Sequence, residues 1–416
     1  MSEMEEMAFK SLFGPLSKNG GTVIVSHPFG NPNSFNAALT FQEQGLLDAF
    51  WTSLFAPLGL SHRWHPALRR ELVRTRALPE VLRLAATYLP SGPWNGRDAA
   101  WVNNAWQNFD RFVAGKLSDK QSAVHAYEDG AADTFARART LGTRTIYELP
   151  VTYYQEVRRI HENEIQRIPE LATWMRARHE PDWKLARKHS EIELADVIIV
   201  PSTSARQSLL SHRTVNAKVA VVPYGCNLSV ASKLWSKTSA PIKLFYAGRI
   251  DPSKGIHYLF EALSRFDAKT FSLTLAGKWA PGFREWLDTK WQVRCKSLGQ
   301  LPRSKLAETY KEHDVFIFPS LHEGLALVLL EAMASGIPVA STERSGAPDI
   351  LKDGREGFLF SAGCVDSLVQ TLIRIIDMRD LLADMGQLAR EQANTLSWAH
   401  YRETLFLTLA PYLDQR

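Results

Sequence analysis

Two cations and two carboxylates fall in two short segments of this chain, each at the turn from a strand candidate into a helical pattern. Arg249 and Lys254 lie in AGRIDPSKG (247–255). Gly248 would end a strand and let the backbone turn. A guanidinium and an ammonium at the start of the following helix would then make an anion site suited to a diphosphate. An ordinary surface loop with solvated cations would use the same residues. Glu323 and Glu331 lie in HEGLALVLLE (322–331), and Glu331 has Leu329, Leu330, Ala332 and Met333 around it. Burying a carboxylate there is costly without a polar partner or ligand. On a helix the separation is about 12 Å, which would place one carboxylate at a sugar ring and the other at a ribose, with a diphosphate between. Gly324 and Leu325 would offer free N–H groups at the helix start. Glutamates eight apart also arise by chance.

These residues need strands to carry them. Strand candidates are 22–26, 123–127, 145–149, 197–200 and 219–222, then 242–247, 271–276 and 315–318. Helical patterns separate them, at 35–46, 255–266, 302–313 and the Glu331 segment. This alternation predicts an α/β chain of two doubly wound, Rossmann-like domains facing a cleft. The first would span 1–230 and be completed by a helix at 396–416; the second would span 240–395. Loops 27–33, 248–255 and 320–324 follow strands, where such sheets bind ligands.

Composition narrows the class. The 416 residues are 45% hydrophobic and 22% charged, enough for two domains of ordinary size. The acidic start, MSEMEEMAFKSLFG, lacks the pattern of a signal peptide, and no apolar run reaches the length of a membrane span. Three dispersed cysteines suggest neither a zinc site nor a disulfide framework. The expectation is a cytoplasmic, reduced protein. A net charge of +5 permits contact with phosphates, anionic lipid or nucleic acid without choosing between them. No nucleic-acid-binding module is visible.

Together AGRIDPSKG, DVFIFPS (314–320), EGLALVLLE continuing into AMASGIPVAST, GAPDILKDGREGFL (346–359), ELADVIIVPS (193–202) and VVPYG (221–225) resemble family 4 of the retaining, nucleotide-sugar-dependent glycosyltransferases, which have the GT-B fold. The resemblance covers nearly all of the second domain and the last third of the first; between about 50 and 120 it is loose. It implies that Arg249 and Lys254 hold the donor diphosphate and stabilise the leaving group. Glu331 would bind the ribose. Glu323, with the backbone of Gly324, Leu325 and Ala326, would position the transferred sugar, and Gly248 would line the donor site. Gly30 would approach the diphosphate from the other domain. Asp349 departs mildly from the family's usual glutamate. The donor would be a UDP-, GDP- or ADP-sugar, with no metal required, and no Asp-x-Asp is present. Retention by front-face attack would need no carboxylate nucleophile.

The acceptor side is less legible. His125, Glu128 and Asp129 in VHAYEDGAAD (124–133), Glu148 in YELP, and His27 all follow or end strands. Each is a candidate acceptor-side group or a structural residue, and a turn role suits His27 equally. Residues 62–83 hold six arginines against two glutamates, with Trp51, Trp64, Trp94, Trp101 and Trp106 nearby. They read either as an amphipathic helical pair with solvated arginines or as a face touching anionic lipid or a lipid diphosphate at the inner face of a membrane. The expected activity is sugar transfer to a glycan, lipid-linked or small soluble hydroxyl acceptor. A catalytically silent GT-B binding or regulatory subunit is the rival.

Overall fold

The computed structural model describes residues 21–55, 63–86, 99–175, 180–226, 233, 235 and 241–413. The acidic start, His62, Trp94, most of the 227–240 join and the last three residues of the expected terminal helix lie outside them. Among the described residues the first sheet is built from β1 (Thr22–Ser26), α1 (Pro32–Glu43), β2 (Leu47–Thr52), β3 (Val73–Thr75), α2 (Ala77–Ala86), α3 (Ala99–Ala114), β4 (Gln121–Tyr127), α4 (Ala132–Leu141), β5 (Arg144–Glu148), α5 (Tyr154–Arg167), α6 (Asp182–Leu194), β6 (Val197–Val200), α7 (Thr203–Leu210) and β7 (Lys218–Val221). Its strand order is β3-β2-β1-β4-β5-β6-β7. The second sheet follows with β8 (Ile242–Ala247), α8 (Ile256–Leu263), β9 (Phe271–Ala276), α9 (Phe283–Lys290), β10 (Cys295–Ser297), α10 (Arg303–Lys311), β11 (Val315–Phe318), α11 (Leu327–Ala334), β12 (Val339–Thr342), β13 (Gly357–Phe360), α12 (Val365–Asp377) and α13 (Leu382–Thr395). Its order is β10-β9-β8-β11-β12-β13.

The strand pairings are parallel. Central strands are buried on both faces, as in VIIV of β6 and VFIF of β11, so they read as continuous apolar runs rather than alternating ones. In each sheet the strand order reverses direction between two central strands, β1/β4 and β8/β11. In open parallel sheets of this kind ligands bind beyond the carboxyl ends of the strands at those points.

The last helix, α14 (Trp398–Leu413), crosses back to the first sheet. Arg402 donates to Glu43 and Asn36 of α1, both at 2.9 Å, and the Tyr401 ring lies 5.9 Å from that of Tyr224. One apolar cluster therefore runs from β1 and α1 through Tyr224, Cys226 and Tyr401 into the second sheet.

Among the described residues 63–83 the helical pair, one of the two readings of this segment, does not form. Residues 70–72 form a 3-10 turn, 73–75 are β3, and α2 starts only at Ala77. VRT, with a charge in its middle, can be a strand only because β2 supplies an edge to pair with.

Candidate active site

Close approach of backbones shapes the cation loop. Gly248 follows β8 at φ +147°, and a Cβ on Gly277 would fall 1.7 Å from the Gly248 carbonyl oxygen. Asp251 caps the turn Pro252–Lys254 by accepting the Ser253 N–H at 2.9 Å. Gly255, at φ +67°, ends that turn, and a Cβ there would lie 1.9 Å from the Pro319 carbonyl oxygen. Only glycine lets the turn sit against the end of β11. This contact brings Lys254 to Glu323, and the two form an ion pair, both side chains about four-fifths covered. Glu323 Oε1 also accepts the Ser320 hydroxyl at 3.0 Å. Arg249 pairs with Asp251 and reaches Ser253 Oγ at 3.4 Å, but its side chain stays 67% exposed. It is the more accessible of the two cations.

The helix start differs from the expectation. α11 begins at Leu327, so residues 323–326 are not helical and a helical rise does not measure the Glu323–Glu331 separation. The Ala326 N–H donates to the Ser345 carbonyl at 3.2 Å. Of the three backbone donors anticipated, Gly324 and Leu325 remain the candidates for a ligand.

The first domain meets this loop directly. Thr152 donates to the Glu323 carbonyl at 2.8 Å, Ser202 donates to the Gly324 carbonyl, and a Cβ on Gly324 would lie 2.0 Å from the Pro150 carbonyl oxygen. Asp349 accepts the Thr203 N–H at 2.9 Å and its hydroxyl, so this carboxylate of one domain caps α7 of the other. His161 of α5 and His322 meet Nε2 to Nε2 at 3.2 Å. One nitrogen must carry a proton and the other must not. Burial pushes both rings below the usual histidine range; Lys254, His161, Arg249 and Arg344 add to that at His322, whereas at His161 the charges of Asp251 and Glu164 oppose it and Arg249 and Lys254 support it. Sequence reasoning missed His161, Thr152, Ser202 and Arg344. The first three come from the other domain, at separations that no motif records.

Glu331 lies apart from the two cations. It lines a cavity of about 860 Å³ between the domains, with Pro32, Phe35, Trp64, Arg303 and Trp398 also in its wall. Burial raises its carboxyl above the usual range, opposed by the Arg303 charge and a long 3.5 Å bond from the Tyr310 hydroxyl. The company expected from Arg249 and Lys254 is supplied instead by Arg303 and Tyr310. A second cavity of about 800 Å³ sits at the opposite ends of the strands, lined by Lys243, Phe271 and Cys295, and holds none of the candidate residues.

On the first domain, His27 is a scaffold for its loop. Its Nδ1 accepts the N–H groups of Phe29 and Gly30 at 3.2 and 3.0 Å, and burial pushes its pKa down to about 3. Gly30, at φ +60°, thus has its N–H taken up, and a Cβ there would strike the Phe35 ring at 2.9 Å.

His125 and Glu148 turn inward, contrary to an acceptor-side role. Both are fully buried and pair at 2.9 Å, and Glu148 also accepts the Tyr224 hydroxyl at 2.8 Å. Their β4–β5 register places them on one face of the sheet beneath α1 and α14. Glu128 and Asp129 are held by lysines of α6. Lys188 lies 2.6 Å from Glu128 and 3.1 Å from Asp129, and Lys184 lies 3.2 Å from Asp129. Burial raises the Glu128 carboxyl despite Lys188. Asp129 has φ 69°, and its N–H is held by the buried Glu191 at 3.0 Å. The loop after β4 is therefore held against α6 by two lysines and a glutamate.

Comparison with known proteins adds the following. Residues 233–392 match the family described as Glycosyl transferases group 1. Over 103 residues the chain is 39% identical to a sulfoquinovosyl transferase of Arabidopsis thaliana, covering 24% of this chain and 20% of that protein. Other curated relatives are matched over 55% and 63% of their length. Among solved structures, a sucrose-phosphate synthase from Thermosynechococcus elongatus superposes with a TM-score of 0.68 at 18% identity, covering 94% of this chain and 98% of the other. Anabaena HepE in complex with UDP and glucose superposes with a TM-score of 0.60 at 16% identity, covering 94% and 100%. Both likenesses are of fold.

Proposed function

We propose, from the premise that this is a GT-B chain whose residues 233–392 form a group 1 glycosyl transferase domain, that it transfers a sugar with retention from a nucleotide diphosphate donor to a hydroxyl acceptor. The observation that carries the reading is the meeting of Arg249, the Lys254–Glu323 pair and the Gly324 loop at the domain junction, with Glu331 in the wall of a cavity between the same two domains. The donor diphosphate lies at the two cations, and the nucleoside enters the cavity with its ribose hydroxyls on Glu331. Charge develops on the departing diphosphate as the glycosidic bond breaks. Fixed cations and oriented N–H groups in a partly dry site stabilise that charge strongly. Glu323 is already engaged by Lys254 and Ser320, which suits positioning of the sugar better than nucleophilic attack. The leaving phosphate takes the acceptor proton on the same face, and no metal is needed. HepE's bound UDP makes a uridine donor the first to try.

Calorimetry with UDP, GDP and ADP tests the donor site; heat from none of them would count against the reading. Lys254→Ala is expected to lower turnover by about 10²-fold or more while the protein stays folded by circular dichroism. Near-normal turnover in that variant removes Lys254 from the phosphate site. Proton NMR of the first-formed product reads the anomeric configuration, and an unchanged rate in chelator is expected.

A further inference from the structure

The cavity of about 800 Å³ at the amino-terminal ends of β8, β9 and β10 lies at the far end of the second sheet from the cation loop. Parallel register sets Lys243 beside Ser272, Phe245 beside Thr274, and Thr274 beside Lys296. Residues two apart on a strand share a face with each other and with their neighbours across the pairing, so Lys243, Thr274 and Lys296 lie on one side of the sheet. His313, just before β11, joins them by stacking on Phe245 with ring centroids 4.8 Å apart. Aromatic side chains supply another part of the wall. Phe266 and Phe271 pack edge-on at 5.3 Å, and Trp291 packs edge-on against Trp286 at 5.8 Å. A concavity of this size, mixing aromatic surface with a few convergent polar groups, is the usual form of a small-molecule site.

Two polar groups of this wall are unmet. Thr274 and His313 are only 8% and 7% exposed. The His313 Nδ1 lies 2.7 Å from the Thr309 carbonyl, which can only accept, so that nitrogen carries the ring proton. Burial holds the ring below the usual histidine range, which leaves Nε2 a bare acceptor. Among the described residues nothing bonds to this nitrogen or to the Thr274 hydroxyl. Native proteins seldom leave such covered groups without a partner. Charge in the same wall is unbalanced as well. It holds Lys243, Lys290, Arg294 and Lys296 against Asp267 and Glu312. Lys290 pairs with Glu170 at 3.0 Å, but Lys243, Arg294 and Lys296 pair with no described carboxylate. Water would meet the two hydrogen bonds, but neither the aromatic surface nor the surplus positive charge.

We propose that this cavity is a second ligand site, for a small organic anion that joins an apolar body to an anionic group and a hydrogen-bond donor. The body lies against Phe266, Phe271 and Trp291. The anionic group sits among Lys243, Arg294 and Lys296, and the donor meets His313 Nε2. None of these residues belongs to the donor site, so the ligand binds without competing with a nucleotide. The proposal does not rest on the sugar-transfer reading.

The test uses anilinonaphthalene sulfonate, which has an aromatic body, a sulfonate and an N–H donor, titrated into the full chain by fluorescence. A single saturable phase is expected, unaffected by UDP. Decanoate and para-hydroxybenzoate are then added as competitors, to tell an acyl body from an aromatic one. Displacement by either supports the proposal, and inorganic phosphate should displace nothing. Lys243→Glu with Lys296→Glu should weaken dye binding by roughly tenfold or more. Ala268→Trp, which adds bulk at an exposed position of the wall, should weaken it too. Melting curves verify that both variants fold, and as the replaced side chains are exposed the curves should match the parent. No saturable binding, displacement by UDP, displacement by neither organic acid, or a charge-reversed variant that binds like the parent overturns the proposal. The cavity would then hold water only. Failure of sugar transfer would leave the dye result standing, and the reverse also holds.

Discussion

Each candidate side chain has its behaviour set by what other elements bring to it. Glu331 illustrates this. Its apolar helix was visible in the sequence, but its polar company, Arg303 and Tyr310, comes from α10. Burial raises its carboxyl, while ribose hydroxyls donating to the carboxylate would favour the ionised form. Nucleotide binding should therefore release a proton. Affinity for UDP should rise as pH rises through the elevated Glu331 pKa and fall on acidification. Glu331→Gln should weaken binding about tenfold at neutral pH and flatten that part of the pH profile. Calorimetry of both proteins across pH reads the difference, because titration of the phosphate itself is common to the two. A variant with the parent's pH slope would remove Glu331 from the nucleoside.

Among the elements, strands and loops were legible to different degrees. β1, β6, β8, β9 and β11 fall where continuous β-branched and aromatic runs place them. β3 and β10, only three residues each and both at sheet edges, carry no periodicity to read. Residues 320–324 read as a loop with the helix starting at Gly324 and Leu325, but the helix starts only at Leu327 and the loop does not become helical before it. Instead its carbonyls accept hydrogen bonds from Thr152 and Ser202 across the domain junction. That junction tolerates no side chain at residue 324. Gly324→Ala is expected to push the loop off Pro150 and to cost turnover at least about tenfold, the order expected when reacting groups are displaced by less than an ångström. Melting temperature should change little, because the displaced contact is between domains rather than within a sheet. Unimpaired turnover would show that the loop's closeness to Pro150 plays no part in the reaction.

For the molecule as a whole, the domain junction is built from groups that resist protonation. His161, His257 and His322 all lie at it. Glu164 of α5 accepts the Tyr258 hydroxyl at 2.6 Å and bonds to His257 at 3.1 Å. Burial is the largest influence holding the three rings below the usual histidine range. Burial alone would raise the Glu164 carboxyl, but His257, Tyr258 and Arg167 hold it below its ordinary value. The signs agree. The unfolded chain binds protons at these histidines below about pH 6.5 while the folded chain does not. Stability therefore falls as pH drops through that window, and Glu164 adds a further loss once pH falls below the ordinary carboxylate range. Lowering pH from about 7.5 to about 5.5 should depress the melting temperature, and His161→Gln with His257→Gln should shrink the drop. A double variant as acid-sensitive as the parent would place the effect elsewhere.

By itself the sequence determined the alternation of parallel strands and helices and the cation loop with the Gly248 turn at its start. It also showed a carboxylate in an apolar helix. These are local properties, carried by runs of side chains and by backbone angles that one residue type allows. Tertiary structure decided which of the candidates face the cleft. Glu148 ends β5 and His125 lies two residues before the end of β4, close to where cleft residues sit, yet register and the return of α14 seal them into a shared buried pair. Lys254 meets Glu323 because two loops touch through a glycine. His161 joins the site from a helix 161 residues away in sequence from its partner His322. Contacts between distant segments leave no period or spacing in the chain, so only the folded arrangement could select them.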